Sequence, residues 1–131
     1  MRPNLVVIGV GSNINPEENI GLAEQAISSE HELLKTSSFI KTEPIGFKDQ
    51  EEFTNGAYLI RTHMEQEELN VWLKNLEDKL DRIRTENKFG PRTIDLDILV
   101  WNSIVVDSDV QSRPFLRDSI QELLPEMELK D

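Results

Sequence analysis

The chain is 131 residues long, 37% hydrophobic and 30% charged, with no cysteine and a formal net charge of -11. That size supports one domain with a real core but not two, and the missing cysteines exclude disulfides and thiolate metal sites while fitting a reducing cytoplasm. The acidity argues against a nucleic-acid partner, which would have to approach against long-range repulsion. No apolar stretch reaches the length of a membrane span, and the segment from Met1 to Ile8 is too short an apolar run for a secretory leader.

Leu5-Val6-Val7-Ile8 reads as a buried first strand, expected to end in a turn at Gly9-Val10-Gly11-Ser12-Asn13. Asn15-Pro16-Glu17-Glu18 then carries a helix start, with Asn15 as N-cap, Pro16 at the first helical position and acids in the first turn. Ile20, Ala23 and Ile27 repeat at helical spacing and are assigned to the core. A glycine loop before a helix invites a bound phosphate. Here Glu17 and Glu18 sit where the anion would need to be, and no P-loop lysine follows. The phosphate reading fails, leaving a loop that offers Asn13 to a neutral ligand, or a plain turn.

A second strand is predicted from Leu33 through Thr42, ending at the Pro/Gly loop Glu43-Pro44-Ile45-Gly46-Phe47. Phe53 to Thr62 reads as a third strand, antiparallel to the second. Leu69, Trp72, Leu73, Leu76, Leu80 and Ile83 then recur at three- and four-residue steps, the apolar stripe of a second helix, with Trp72 as core. Glu77, Asp81 and Arg84 fall along the edge of that stripe, one and two turns apart, so they can face a shared cleft.

The next stretch is the most informative. In a strand, side chains alternate, so Ile94, Leu96, Ile98 and Val100 are assigned to one face, and Asp95 and Asp97 project together from the other. Adjacent carboxylates repel, and a strand gains nothing from that. A hard divalent cation removes the repulsion, and Mg²⁺ is commonly held by one or two carboxylates plus substrate phosphates. Just upstream, Arg82, Arg84, Lys88 and Arg92 supply four positive charges against Glu86 alone. A chance acid pair on a solvated strand is the bland alternative; the adjoining basic Gly-Pro loop places a metal–polyphosphate site ahead of it. Ile104-Val105-Val106 is expected to pair beside this strand across Asn102-Ser103, and a short terminal helix is predicted from Arg117 to Leu124, stopped by Pro125. The element order β-α-β-β-α-β predicts one α+β domain over residues 1–131, ferredoxin-like, with two principal helices on a mainly antiparallel sheet. That fold by itself decides no function.

Four segments resemble the 6-hydroxymethyl-7,8-dihydropterin pyrophosphokinase family: Gly11-Ser12-Asn13; Thr42-Glu43-Pro44-Ile45-Gly46 with Asp49 through Asn55; Glu77 through Arg84; and Phe89-Gly90-Pro91-Arg92-Thr93-Ile94-Asp95-Leu96-Asp97. The resemblance covers about residues 4 to 106 and implies transfer of the two terminal phosphoryl groups of ATP to the pterin hydroxymethyl group, with release of AMP. It implies two Mg²⁺ ions on Asp95 and Asp97, and a pterin pocket from Thr42, Pro44, Ile45, Gly46, Phe53 and Asn55, with Phe53 stacking on the ring. It also implies ATP contacts from Glu77, Arg82, Arg84, Lys88 and Arg92, with Arg82 and Arg92 serving catalysis. Such a transfer depends on positioning and charge neutralisation more than on covalent chemistry. The chain departs from the family pattern in having Phe89 for a usual tryptophan and Lys88 for a usual arginine. Val110-Gln111-Ser112 also runs directly into Arg113-Pro114-Phe115, without the family's Pro-His-containing segment. Arg113 and Phe115 resemble the family's next arginine and a pterin-stacking phenylalanine, whereas His31 and His63 lie outside the matching motifs. The expected partners are therefore pterin and ATP, with neither nucleic acid nor membrane. Two other readings stand beside the enzyme: a catalytically impaired homologue acting as a pterin- or nucleotide-binding module, and an acidic interaction domain.

Overall fold

The computed structural model describes residues 2–43, 52–80 and 94–129. In chain order the elements are β1 (Asn4–Ser12), α1 (Pro16–Glu30), β2 (Glu32–Thr36), β3 (Ile40–Thr42), β4 (Phe53–Thr62), α2 (Gln66–Leu80), β5 (Asp95–Trp101), β6 (Ile104–Val105), a 3-10 turn (Ser108–Gln111) and α3 (Pro114–Leu123). The strands form one sheet in the order β2-β4-β1-β5-β6, with β3 also on β4. Every pairing is antiparallel. Since β1 and β2 both run against β4, they are parallel to each other, and α1 crosses between them; α2 crosses likewise between β4 and β5. Two interleaved βαβ units of this kind make the predicted α+β, ferredoxin-like arrangement.

The sheet is covered on both sides. Val6, Ile8, Val10, Tyr58, Ile60, Leu96 and Ile98 bury against Ala23 and Ile27 of α1 and Leu69, Leu73 and Leu76 of α2. The opposite face carries Val7, Ala57, Leu59 and Leu99, sealed by Leu116, Ile120 and Leu123 of α3. Each such buried aliphatic side chain contributes roughly 1.5–3 kcal/mol relative to exposure. The third helix is thus a full layer, and it starts at Pro114, earlier than the sequence pattern indicates, because Pro114 is pre-set for a first helical position.

Four other expectations change. The glycines at 9 and 11 do not end the first strand; β1 pairs with β4 and β5 through them and stops at Ser12. The second strand divides into β2 and β3, both on β4, with Ser37 between them accepting from Ala57 N at 2.8 Å. Asn15 caps α1 by its left-handed backbone, φ 41°, with no side-chain cap bond; asparagine tolerates that conformation better than most residues. Finally, Val7 pairs with Val100 and Ile8 with Ile98, which leaves Leu99 as an extra residue, a β-bulge. Val100 therefore packs with Leu99 on the α3 side, not with Ile94, Leu96 and Ile98. The hairpin from β5 to β6 forms as expected, turning through Asn102 and Ser103, both at positive φ.

His31 is buried at the end of α1. Its Nδ1 lies 2.9 Å from Thr62 Oγ1, its ring stands edge-on to Trp72 at 4.5 Å, and its Nε2 has no hydrogen-bond partner among the described residues. Burial pulls its pKa below the ordinary 6.5, against a smaller upward pull from Glu30. Trp72 packs on the core as expected, with Nε1 donating to Glu30 at 2.7 Å.

Candidate functional site

The site begins with two missing side chains. Gly11 of β1 stands between Asn55 of β4 and Asp95 of β5; Gly9 stands between Ala57 and Asp97. Residues directly opposite one another share a face of the sheet. Asn55 therefore borders a bare floor on one side, and the two aspartates border it on the other. The approach is close: a β-carbon added at Gly11 would lie 2.7 Å from Asn55 Oδ1 and force that amide to shift, and one at Gly9 would lie 3.1 Å from Leu99, whose side chain would have to give by a few tenths of an ångström. The α3 side completes a small cavity of about 80 Å³ with Asp107, Asp109, Arg113 and Phe115. A wider cleft of about 500 Å³, bordered by Gln66 and Asn70 of α2, adjoins it and shares Asp97 and Asp107.

The β4 bank is neutral. Asn55 Nδ2 donates to Thr42 Oγ1 in a short bond, and Thr42 pairs in register with Phe53. Phe53 reaches the floor, its Cδ1 lying 3.8 Å from where a Gly11 β-carbon would stand. Phe115 lines the cavity from α3. An aromatic surface, an amide and a hydroxyl suit a flat heterocycle rich in amide-like edges.

The β5 bank is charged and tied to α2. Leu96, between the two aspartates, donates its N–H to Glu77 Oε2 at 2.7 Å, and its carbonyl accepts from Lys74 Nζ at 2.8 Å. Lys74 Nζ also donates to Glu77 Oε2 at 2.9 Å and Asp97 Oδ1 at 3.1 Å. Among the described residues no strand pairs with this edge of β5 at Leu96, and two side chains of α2 take up its N–H and carbonyl instead. Burial pushes Glu77 above the usual carboxylate range; the Leu96 and Lys74 hydrogen bonds oppose the shift, and Asp95 adds to it. Burial alone would pull the Lys74 ammonium down, but Asp97 and Glu77 together hold it above the usual lysine range. Both partners shift upward because Glu77, only 14% exposed, loses more from lost water than one shared ammonium returns, while Lys74 draws on two carboxylates. On the α3 side, Arg113 lies 3.6 Å from Asp109.

Among the described residues lining the cavity, the atoms able to ligate a metal are oxygens of Asp95, Asp97, Asp107, Asp109 and Asn55, which fits a hard cation such as Mg²⁺ better than a soft one. Among the described residues, no group of three or more acids or histidines could hold a metal ion alone. No described helix is long and apolar enough to cross a membrane.

Of the residues singled out from sequence, Asn55, Asp95, Asp97, Arg113 and Phe115 line one cavity, Phe53 and Thr42 adjoin it, and Glu77 supports its charged bank. Pro44, Ile45 and Gly46, and the basic residues Arg82, Arg84, Lys88 and Arg92, lie outside the described residues. Sequence reasoning missed Lys74, Asp107 and Asp109. Signals existed for all three: Lys74 stands one helical turn before Glu77, and Asp107-Ser108-Asp109 is a second acid pair with the spacing of Asp95-Leu96-Asp97.

Comparison with known proteins gives a consistent result. The sequence profile of the 7,8-dihydro-6-hydroxymethylpterin-pyrophosphokinase family matches residues 7–125. A 2-amino-4-hydroxy-6-hydroxymethyldihydropteridine pyrophosphokinase of Bacillus subtilis is 36% identical over 109 residues, covering 81% of this chain and 65% of the relative. Its namesake in Campylobacter jejuni is 38% identical over 104 residues, 77% of this chain and 66% of that one. For the Pseudomonas aeruginosa namesake the figures are 31% over 137 residues, 96% and 84%. The chain thus spans about 65% of the length of the first of these relatives.

Proposed function

The chain belongs to the 7,8-dihydro-6-hydroxymethylpterin-pyrophosphokinase family, and we propose that it transfers pyrophosphate from ATP to the hydroxymethyl group of 6-hydroxymethyl-7,8-dihydropterin, releasing AMP, in folate biosynthesis. The observation that carries this reading is the row Asn55–Gly11–Asp95, which sets a neutral recognition bank and an acid pair on either side of a floor without side chains. The pterin lies on the floor, its polar edge toward Asn55 and Thr42, its faces toward Phe53 and Phe115. The triphosphate lies toward Asp95 and Asp97, with Glu77 supporting that bank. Arg82, Arg84, Lys88, Arg92 and Arg113 are assigned to its phosphates, Arg82 and Arg92 also to catalysis, and Pro44, Ile45 and Gly46 to the pterin pocket. Asp95 and Asp97 would hold Mg²⁺, which when bound neutralises phosphate charge that would otherwise repel the attacking oxygen. The pterin hydroxymethyl oxygen forms a bond to the β-phosphorus of ATP, the bond to the oxygen bridging the α-phosphorus breaks, AMP leaves, and the hydroxyl proton is released. The residues act by alignment and charge, the means by which such transfers are generally accelerated.

A second reading, a pterin- or nucleotide-binding module without efficient transfer, is favoured by one observation: Arg113, the cation the α3 side offers to the cavity, is paired with Asp109. Incubation with Mg-ATP and the pterin, with AMP measured by chromatography, separates the two. AMP formed in proportion to the pterin consumed is the expected result; pterin binding without AMP establishes the module instead.

A further inference from the structure

Among the described residues, Lys74 is a cation that the carboxylate bank already carries. Its three N–H groups are all used, on Glu77 Oε2, Leu96 O and Asp97 Oδ1. Two of those bonds anchor it between α2 and the edge of β5. Glu77 is largely buried, and among the described residues no strand pairs with Leu96 on that side. The third bond differs: Asp97 is 55% exposed and lines both the cavity and the adjoining cleft. The anchored bonds keep the ammonium in place, and the exposed one is free to be exchanged.

We propose that Lys74 is a positioning residue that stands in for the metal on Asp97 in the ligand-free chain, keeping free Mg²⁺ out and passing its exchangeable N–H to a polyphosphate oxygen when the metal arrives with a nucleotide. This rests on the reading of Asp97 as a metal ligand. A bare Mg²⁺ ion at Asp97 meets a fixed positive charge within hydrogen-bond distance of the same carboxylate, which disfavours it. A Mg–triphosphate complex brings its own negative charge and offers the displaced N–H an acceptor at least as good as the carboxylate. The site therefore selects the metal–nucleotide complex over the metal alone, by an ammonium that turns rather than travels.

The test is calorimetric titration of the full chain, first with MgCl₂ and then with Mg–α,β-methylene-ATP. Lys74→Met should bind free Mg²⁺ at least about fivefold more tightly, from loss of the adjacent charge. It should bind the Mg–analogue about tenfold more weakly, from loss of a charge-assisted phosphate contact. Lys74→Gln, which keeps an N–H for Leu96 O, should show the same two signs and guards against misfolding of the methionine variant. Structural damage alone would weaken both affinities together. Movement of both in one direction, or unchanged Mg²⁺ affinity, overturns the proposal. Adding Asp97→Asn to Lys74→Met should abolish the gain in Mg²⁺ affinity; a gain that survives shows that Asp97 is not the ligand, a failure distinguishable from that of Lys74.

Discussion

On the β4 side of the glycine floor, the Asn55 amide donates to the Thr42 hydroxyl, both neutral groups; on the β5 side, the Lys74 ammonium ties Glu77, Leu96 and Asp97 together. Both banks hold internal hydrogen bonds without a ligand, but they resist exchange differently. A neutral hydrogen bond traded for one to a ligand changes stability little, since both states are satisfied. A carboxylate paired with a cation, as Asp97 is with Lys74, cannot lose it without another taking its place, because like charges in a partly buried site are costly. The neutral bank is therefore suited to recognition and the charged bank to admitting a substrate that carries its own counter-charge.

The largest effect should come from breaking the charged bank. Asp95→Asn and Asp97→Asn should each abolish AMP formation, a loss of several kcal/mol of transition-state stabilisation, while circular dichroism still reports a folded chain. Near-normal turnover in either variant would remove the metal assignment. A smaller, bank-specific effect is expected on the other side. Asn55→Ala should weaken pterin binding by roughly 1–3 kcal/mol by leaving polar edges of the ring unpaired. Gly11→Ala should move affinity the same way, because its new β-carbon pushes the Asn55 amide aside from 2.7 Å. Calorimetry with pterin and with Mg–α,β-methylene-ATP checks both variants, and loss confined to the nucleotide would show that the division between banks is wrong.

The smallest effect lies outside both banks. His31 is buried neutral, with its pKa below the ordinary 6.5. The unfolded chain takes up that proton first as pH falls, so the stability linked to His31 is fully present above pH 6.5 and is lost as pH drops through the folded value. Melting temperatures from about pH 8 to about pH 5 should fall less in His31→Gln than in the parent chain. Equal slopes would show that the acid sensitivity arises elsewhere.

Much of this was legible in the residues themselves. Alternation in β5 placed Asp95 and Asp97 on one face, and the stripe from Leu69 to Leu80 marked the buried side of α2, because both patterns follow from local backbone periods of two and 3.6 residues. Asn55 and Phe53 were also locatable, through a segment resembling the family's ring-binding motif. What the sequence could not decide were matters of register and contact across strands. Gly9 and Gly11 look like a turn until β4 and β5 flank them, since a glycine's role depends on which side chains oppose it. Val100 changes face because Leu99 is an extra residue against β1, and a bulge exists only between two paired strands. Lys74 becomes a counter-cation because α2 lies beside an edge of β5 that no described strand covers at Leu96. Periodicity is a property of one segment, whereas an unfilled edge, a bulge and a bare floor are properties of the partners that the tertiary structure brings beside it.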